Sequence, residues 1–217
     1  MTADPLALPL LYADDALLVL DKPAGLLSVP GRGPDKQDCL AARVQRQYPE
    51  ALVVHRLDMA TSGLLVMARE LFAQRALGRA FEQRRVHKRY VAVVDGLLAP
   101  SAGEWGLIEL PLAVDWPRRP LNIVDREHGK PSTTRWRVLA QDAALGRTRV
   151  ELEPLTGRTH QLRVHLQALG HPILGDALYA GAEVQARADR LLLHATGLQL
   201  PHPRTGAALA FTSVPPF

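Results

Sequence analysis

Val54-His55-Arg56-Leu57-Asp58-Met59-Ala60-Thr61-Ser62-Gly63-Leu64-Leu65-Val66 sets a polar loop directly against an apolar strand. Asp58 stands among an arginine, a threonine and a serine, donors that hold a carboxylate ionised, and Gly63 closes the turn before the strand predicted over Leu64–Ala68. Taken alone, Asp58 also has a plainer reading, as a residue that caps the turn.

Upstream of this loop, Ala16–Leu20 is an apolar run ending in Asp21-Lys22-Pro23-Ala24-Gly25, a strand delivered into a turn. Asp38 is placed to cap a helix that runs to about Tyr48, where Pro49 stops it. Downstream, Phe72, Ala73, Ala76, Leu77, Ala80 and Phe81 recur at helical spacing, with Arg75, Arg79 and Glu82 on another face. That pattern predicts one amphipathic helix over Glu70–Arg85. Tyr90–Val94 is rich in β-formers; Thr133–Leu139 and Thr148–Leu152 flank a polar turn and read as a hairpin. A helix is expected over Thr159–Leu169, ending at Gly170, and the tail from Leu191 to Phe211 alternates short apolar runs with Pro201, Pro203 and Gly206. Strands follow one another without regular helical crossovers, so the expected class is α+β, a mixed and largely antiparallel sheet with flanking helices. No repeat, low-complexity stretch or long linker interrupts it, which predicts a single domain.

The 217 residues are 47% hydrophobic and 22% charged, which excludes a disordered or fibrous chain and is long enough to bury a core without staples. Cys39 is the single cysteine, so no internal disulfide can form and a reducing cytoplasm is the expected compartment. The first residues lack the features of a signal peptide, and no apolar run approaches the ~20 residues of a membrane-spanning helix. Lys and Arg number 26 against 22 Asp and Glu, a small excess whose distribution says more than its size. Arg75, Arg79, Arg84, Arg85, Lys88 and Arg89 form one basic stretch; Arg118, Arg119, Arg126, Lys130, Arg135 and Arg137 form another. Clusters of this kind suit a phosphate backbone.

The string His55-Arg56-Leu57-Asp58-x-x-Thr61-Ser62-Gly63 resembles the active-site motif of the RluA family of pseudouridine synthases, and Met59-Ala60 in its variable positions resembles the short, namesake branch. Asp21-Lys22-Pro23-Ala24-Gly25-Leu26 resembles the family's first motif, Lys88-Arg89-Tyr90 its tyrosine motif, and Thr156-Gly157-Arg158-Thr159-His160-Gln161-Leu162-Arg163-Val164-His165 its third; Gly170-His171-Pro172-Ile173-Leu174-Gly175-Asp176 also fits. Several motifs in the right order, from about residue 17 to the C-terminus, carry far more weight than one.

The resemblance implies the pseudouridine synthase fold and the isomerisation of uridine in RNA to its C-linked isomer, with no cofactor and no metal. Asp58 becomes the essential carboxylate, acting on the sugar, on the uracil ring or on a sugar proton, three routes that stay open at this point. A shielded carboxylate needs a compensating cation, and by resemblance Arg163 supplies it, on the helix that opens near Thr159. Tyr90 is expected to stack on the target base, with its hydroxyl the candidate for moving the C5 proton. Seen alone, Tyr90 alternates with Ala92 and Val94 as a core tyrosine would. The target uridine must leave its helix to reach Asp58, and Arg56 is expected to fill the gap. His55 either shapes that loop or packs beneath it. Asp115-Trp116-Pro117-Arg118-Arg119-Pro120 and Gly129-Lys130-Pro131 resemble branch-specific segments; Arg118, Arg119, Lys130 and Lys88 are the further candidates for RNA contact, and Trp116 either stacks on a nucleotide or fills the core.

Residues 1–16 are expected to be an N-terminal segment and 17–217 the catalytic domain, with no separate RNA-binding module ahead of it. Short members of this kind act on a tRNA anticodon stem-loop and a similar hairpin in 23S rRNA, so both RNAs are the expected partners. Other classes fit less well. His160 and His165 are five apart, about 140° round a helix, and not at the i, i+4 spacing of paired zinc ligands. Asp58 has no acidic neighbour before Glu70 to complete a glycosidase pair, and no glycine-rich phosphate loop is present. A non-catalytic RNA-binding module shares the basic patches but does not account for Asp58, Tyr90 and Arg163 together.

Overall fold

The computed structural model describes residues 9–101 and 104–217. In chain order its elements are β1 (Leu10–Ala13), β2 (Leu17–Lys22), α1 (Leu40–Gln45), β3 (Leu52–Val53), β4 (Ser62–Ala68), α2 (Leu71–Glu82), β5 (His87–Asp95) and β6 (Gly106–Glu109). There follow β7 (Leu112–Val114), β8 (Asn122–Val124), β9 (Thr133–Asp142), β10 (Arg147–Pro154), α3 (Gln161–Ala168), α4 (Ala182–Gln185), β11 (Leu193–Pro201) and β12 (Ala208–Thr212). The fold is α+β as expected, with few helices, and the β1–β2, β2–β4, β3–β4, β5–β10, β9–β10, β6–β9, β7–β8 and β11–β12 pairs are antiparallel. The chain divides into two compact units, one holding the described residues to His87 with Ala195–Pro215, the other Lys88–His194 with the last two residues.

In the first unit the strands run β1-β2-β4-β11, with β3 beside β4 and β12 beside β11. β4 is buried along its whole length, which is why it reads as an uninterrupted apolar run. Its partner β2 sets Val19 opposite Val66 and Lys22 opposite Gly63. Helix α2 lays Ala73, Leu77 and Ala80, spaced at i, i+4 and i+7, against Leu17, Val19, Leu64 and Val66, while Arg75 and Arg79 face solvent. The expected N-terminal segment is partly structured: Leu10–Ala13 pairs with β2 as an edge strand. Helix α1 is shorter than expected and begins at Cys39, whose Sγ accepts the Ala42 amide at 3.4 Å. Asp38 does not cap it because its carboxylate is taken by the Arg43 guanidinium at 2.8 and 2.6 Å. The tail folds as the β11–β12 hairpin.

In the second unit the order is β5-β10-β9-β6, and the predicted hairpin is β9–β10. Strand pairing puts Lys88 and Tyr90 on one face of β5 and Arg89 on the other. On that other face Glu153 pairs with Arg89 and Arg135, Glu151 pairs with Arg137, and the three guanidinium groups lie 4.6 to 5.0 Å from the Trp105 ring. Arg135 and Arg137, members of the second basic stretch, are thus ion-paired within the protein. Helix α3 ends at Gly170, whose φ is +83°, as its predicted stop requires. The small β7–β8 hairpin was not foreseen. Its Leu112, with Leu121 and Val124, packs on Val164 of α3 and on Tyr179. Among the described residues no helix is long and apolar enough to cross a membrane.

Candidate active site

Asp58 lies in the connection between β3 and β4, and the loop is held from beneath. Lys22, at the end of β2, is fully buried, an expensive place for an ammonium unless every N–H is used. Its Nζ donates to the carbonyls of Pro23, Leu26 and Met59 at 2.8, 2.8 and 3.1 Å. The Met59 carbonyl also accepts the Gly25 amide at 2.9 Å. Ser28 makes a second clamp: its hydroxyl donates to the Leu57 carbonyl at 2.7 Å and accepts the Leu57 amide at 3.1 Å. The residues on either side of Asp58 are thus both tied to the segment 22–28. The Asp58 carbonyl accepts the Thr61 amide at 3.1 Å and closes the turn.

Gly63 is obligatory. Its φ is +109°, and a Cβ there would sit 2.3 Å from the Ala195 carbonyl oxygen. Along the loop Leu57 points inward, Asp58 is half-buried, and Arg56 is exposed with no ion pair or hydrogen bond of its side chain among the described residues. His55 is engaged with the protein: Nε2 accepts the Val66 amide at 3.1 Å and the ring lies 4.7 Å from that of Phe81. It packs beneath the loop.

The second unit carries the other expected residues. Tyr90 is half-buried on β5, opposite Leu152. Lys88, two residues earlier on the same strand face, is half-buried and its ammonium has no ion pair or hydrogen bond among the described residues; burial pushes it below the usual lysine range. Arg163 is buried on α3 in a two-pronged pair with Asp176, Nε to Oδ2 at 2.8 Å and Nη2 to Oδ1 at 2.6 Å. Asp176 Oδ1 also accepts the amides of Leu178 and Tyr179, at 2.9 and 3.1 Å. The Tyr179 ring lies 5.0 Å from the Arg163 guanidinium. Its hydroxyl accepts the Asn122 amide at 2.9 Å and meets His160 Nδ1 at 2.6 Å, while burial pushes the phenol up.

Asp176 and Tyr179 are site-supporting residues that sequence reasoning missed. Asp176 closes the Gly170–Asp176 segment, and an acid following an arginine that must be buried was the available signal. Lys22 was legible only as part of the first motif, and Ser28, two residues beyond it, was not singled out. Arg118 is bound at 2.7 and 2.6 Å to the buried Asp115 carboxylate and holds its loop, while Arg119 and Lys130 are exposed. His165 belongs to a buried network, with Nδ1 on Thr134 Oγ1 at 2.9 Å, Nε2 on the Leu110 carbonyl at 3.0 Å, and Gln161 Nε2 donating to the same Thr134 oxygen. No group of three or more His, Cys, Asp or Glu is placed to hold a metal among the described residues.

The chain belongs to the RNA pseudouridylate synthase family, whose sequence model matches residues 16–168. It is similar to the dual-specificity RNA pseudouridine synthase RluA of Escherichia coli K12, with 52% identity over 94% of this chain and 91% of the relative, and to that of Yersinia pestis, with 51% identity over 93% and 96%. Among solved structures it is similar to human RNA pseudouridylate synthase domain containing 1, at 30% identity and a TM-score of 0.81 over 100% of this chain and 87% of the other. Human RNA pseudouridylate synthase domain containing 4 aligns at 26% identity with a TM-score of 0.76, over 95% and 88%.

Proposed function

We propose that this protein converts uridine to pseudouridine in structured RNA, in a tRNA anticodon stem-loop and a similar 23S rRNA hairpin, and that it works in the cytoplasm with residues 17–217 as the catalytic domain. Asp58, Tyr90 and Arg163 form the catalytic set. The bond between N1 and the sugar C1′ breaks, the uracil turns within the site, and C5 joins C1′. C5 then gives up its proton and N1 gains one, so atoms and charge balance without a cofactor. Asp58 opens the sequence, Arg163, fixed by Asp176, is the cation of the set, Tyr90 stacks on the turning ring, and Arg56 fills the place the uridine leaves.

The observation that supports this most is the immobilisation of the Asp58 loop. A buried ammonium and a buried hydroxyl are spent on tying Leu57 and Met59 down, an arrangement that serves a carboxylate which must not move. The relatives' description as dual-specificity RNA enzymes supports two RNA substrates.

RNA labelled with tritium at C5 of uridine tests the chemistry. The protein is expected to release label to water, and Asp58→Asn to release none while keeping its RNA affinity. Wild-type binding without release would reduce the protein to a binding module. For the substrates, pseudouridines are mapped in RNA from a deletion strain: loss at both the anticodon loop and the 23S hairpin is expected, and loss at one alone would refute the dual assignment.

A further inference from the structure

The three tryptophans of the described chain have different surroundings. Trp136 is buried, and Trp105 is covered by three guanidinium groups. Trp116 is 70% exposed, at the tip of the β7–β8 hairpin, so it fills no core. The Arg119 guanidinium lies over one face of its ring, 3.2 Å from the centroid. With one face covered, an exposure that high requires the other to be open to water.

The loop beneath it is stiff. The buried Asp115 carboxylate accepts from Arg118 Nε at 2.7 Å and from the Arg118 amide at 3.3 Å. The Asp115 amide donates to Leu121 at 2.9 Å and the Leu121 amide to Arg118 at 3.0 Å, while Pro117 and Pro120 restrict the backbone between them. An exposed indole on a pre-ordered loop keeps a large apolar face in water, a cost that a stacked partner removes, and it binds with little loss of entropy. Its surroundings select the partner. Arg119, Arg126 and Lys130 are exposed and without an ion pair among the described residues, so the surface is cationic as well as aromatic. That pairing suits an unpaired nucleobase followed by its phosphate, since every base has a π-face and every nucleotide a negative charge. The hairpin is also anchored to helix α3, which carries Arg163, through Leu112 on Val164, and to Tyr179 through the Asn122 amide.

We propose that Trp116, backed by Arg119, is a stacking platform for an unpaired base of the RNA substrate outside the uridine pocket, and that it sets substrate affinity without taking part in bond-making. The proposal rests on the assignment of an RNA substrate made above.

The test uses the intact protein, an anticodon stem-loop labelled with tritium at C5, and a fully paired duplex of matching length. Trp116→Ala is expected to raise KM for the stem-loop about tenfold, with kcat within about twofold, and Trp116→Phe to restore most of the loss. Because stacking involves no counterion release, the slope of log KM against log salt is expected to hold in Trp116→Ala and to fall by about one in Arg119→Ala. As a measurement independent of catalysis, the stem-loop is expected to quench tryptophan emission in wild type and to lose most of that quench in Trp116→Phe, while duplex quenches neither. An unchanged KM together with a persistent quench would overturn the platform, as would an equal loss of affinity for duplex. A Trp116→Ala variant that changed only its oligomeric state would assign the surface to protein contacts and overturn it too. If no RNA released tritium, the proposed function would fail, yet a Trp116-dependent quench would still establish the stacking site.

Discussion

The loop that carries Asp58 and the loop that carries Trp116 are both short, polar connections bearing arginines, and they are built in opposite ways. Around Asp58 the stiffening groups are buried: Lys22 and Ser28 hold the backbone from below, and Gly63 lets it pass Ala195. Around Trp116 the aromatic ring and Arg119 are exposed, and Asp115, two prolines and the loop's backbone bonds stiffen it. Chemistry needs a carboxylate fixed to a fraction of an ångström, whereas capture of a flexible RNA needs reach and tolerance. One loop is therefore expected to fail through stability and kcat, and the other through KM.

The contrast breaks most sharply at Gly63. Gly63→Ala meets both a positive φ and a backbone oxygen that cannot move away, and is expected to cost more than about 4 kcal/mol, seen as insoluble or unfolded protein by circular dichroism. Soluble, active protein would show that the loop is not pinned there. Lys22→Met removes the ammonium, strands the Pro23 and Leu26 carbonyls and leaves the Met59 carbonyl only the Gly25 amide. A loss of about 3 kcal/mol is expected in urea unfolding, with kcat falling far more than KM rises. An equal fall in both would mean that Lys22 supports the fold without placing Asp58.

Asp176→Asn tests the second unit in the same terms. The Arg163 guanidinium would keep its burial and lose its countercharge, for an expected cost of about 3 kcal/mol and a lower kcat. Unchanged stability would mean that another group already neutralises Arg163.

The smallest effect expected is acid sensitivity at the β1–β2 turn. Burial pushes the Asp14 carboxyl up, but bonds from the Tyr12 hydroxyl, the Ala16 and Leu17 amides and His202 outweigh it and hold the group at about 2, against an ordinary 3.8. A lowered value means that the unfolded chain binds the proton more readily. The contribution is thus whole above pH 3.8 and is lost as pH falls toward 2. Asp14→Asn is expected to flatten that part of the stability profile in thermal melts from pH 5 to pH 2, and an unchanged profile would place the acid sensitivity elsewhere.

What could be read in advance follows from where the signal sits. Helix α2 and strand β4 were legible because each repeats an apolar pattern with its own period, and the β9–β10 hairpin because a polar turn separates two β-rich runs. α1 was misplaced at its start because Asp38 has two possible partners, a helix amide or Arg43, and only the folded geometry shows that the guanidinium takes it. The β7–β8 hairpin escaped because each strand is only three residues long, too short for an alternation to register. Arg135 and Arg137 were read as free cations because Glu151 and Glu153 are distant in sequence, and strand pairing brings them opposite.

The sequence by itself determined the family and marked the candidate residues, because motif spacing records which side chains a chemistry demands. Only the tertiary structure decided what holds them: that Lys22 spends its charge beneath the Asp58 loop, that Asp176 and Tyr179 support Arg163, and that Trp116 faces water. Those are matters of burial and of contacts between distant positions, and neither is set by local order along the chain.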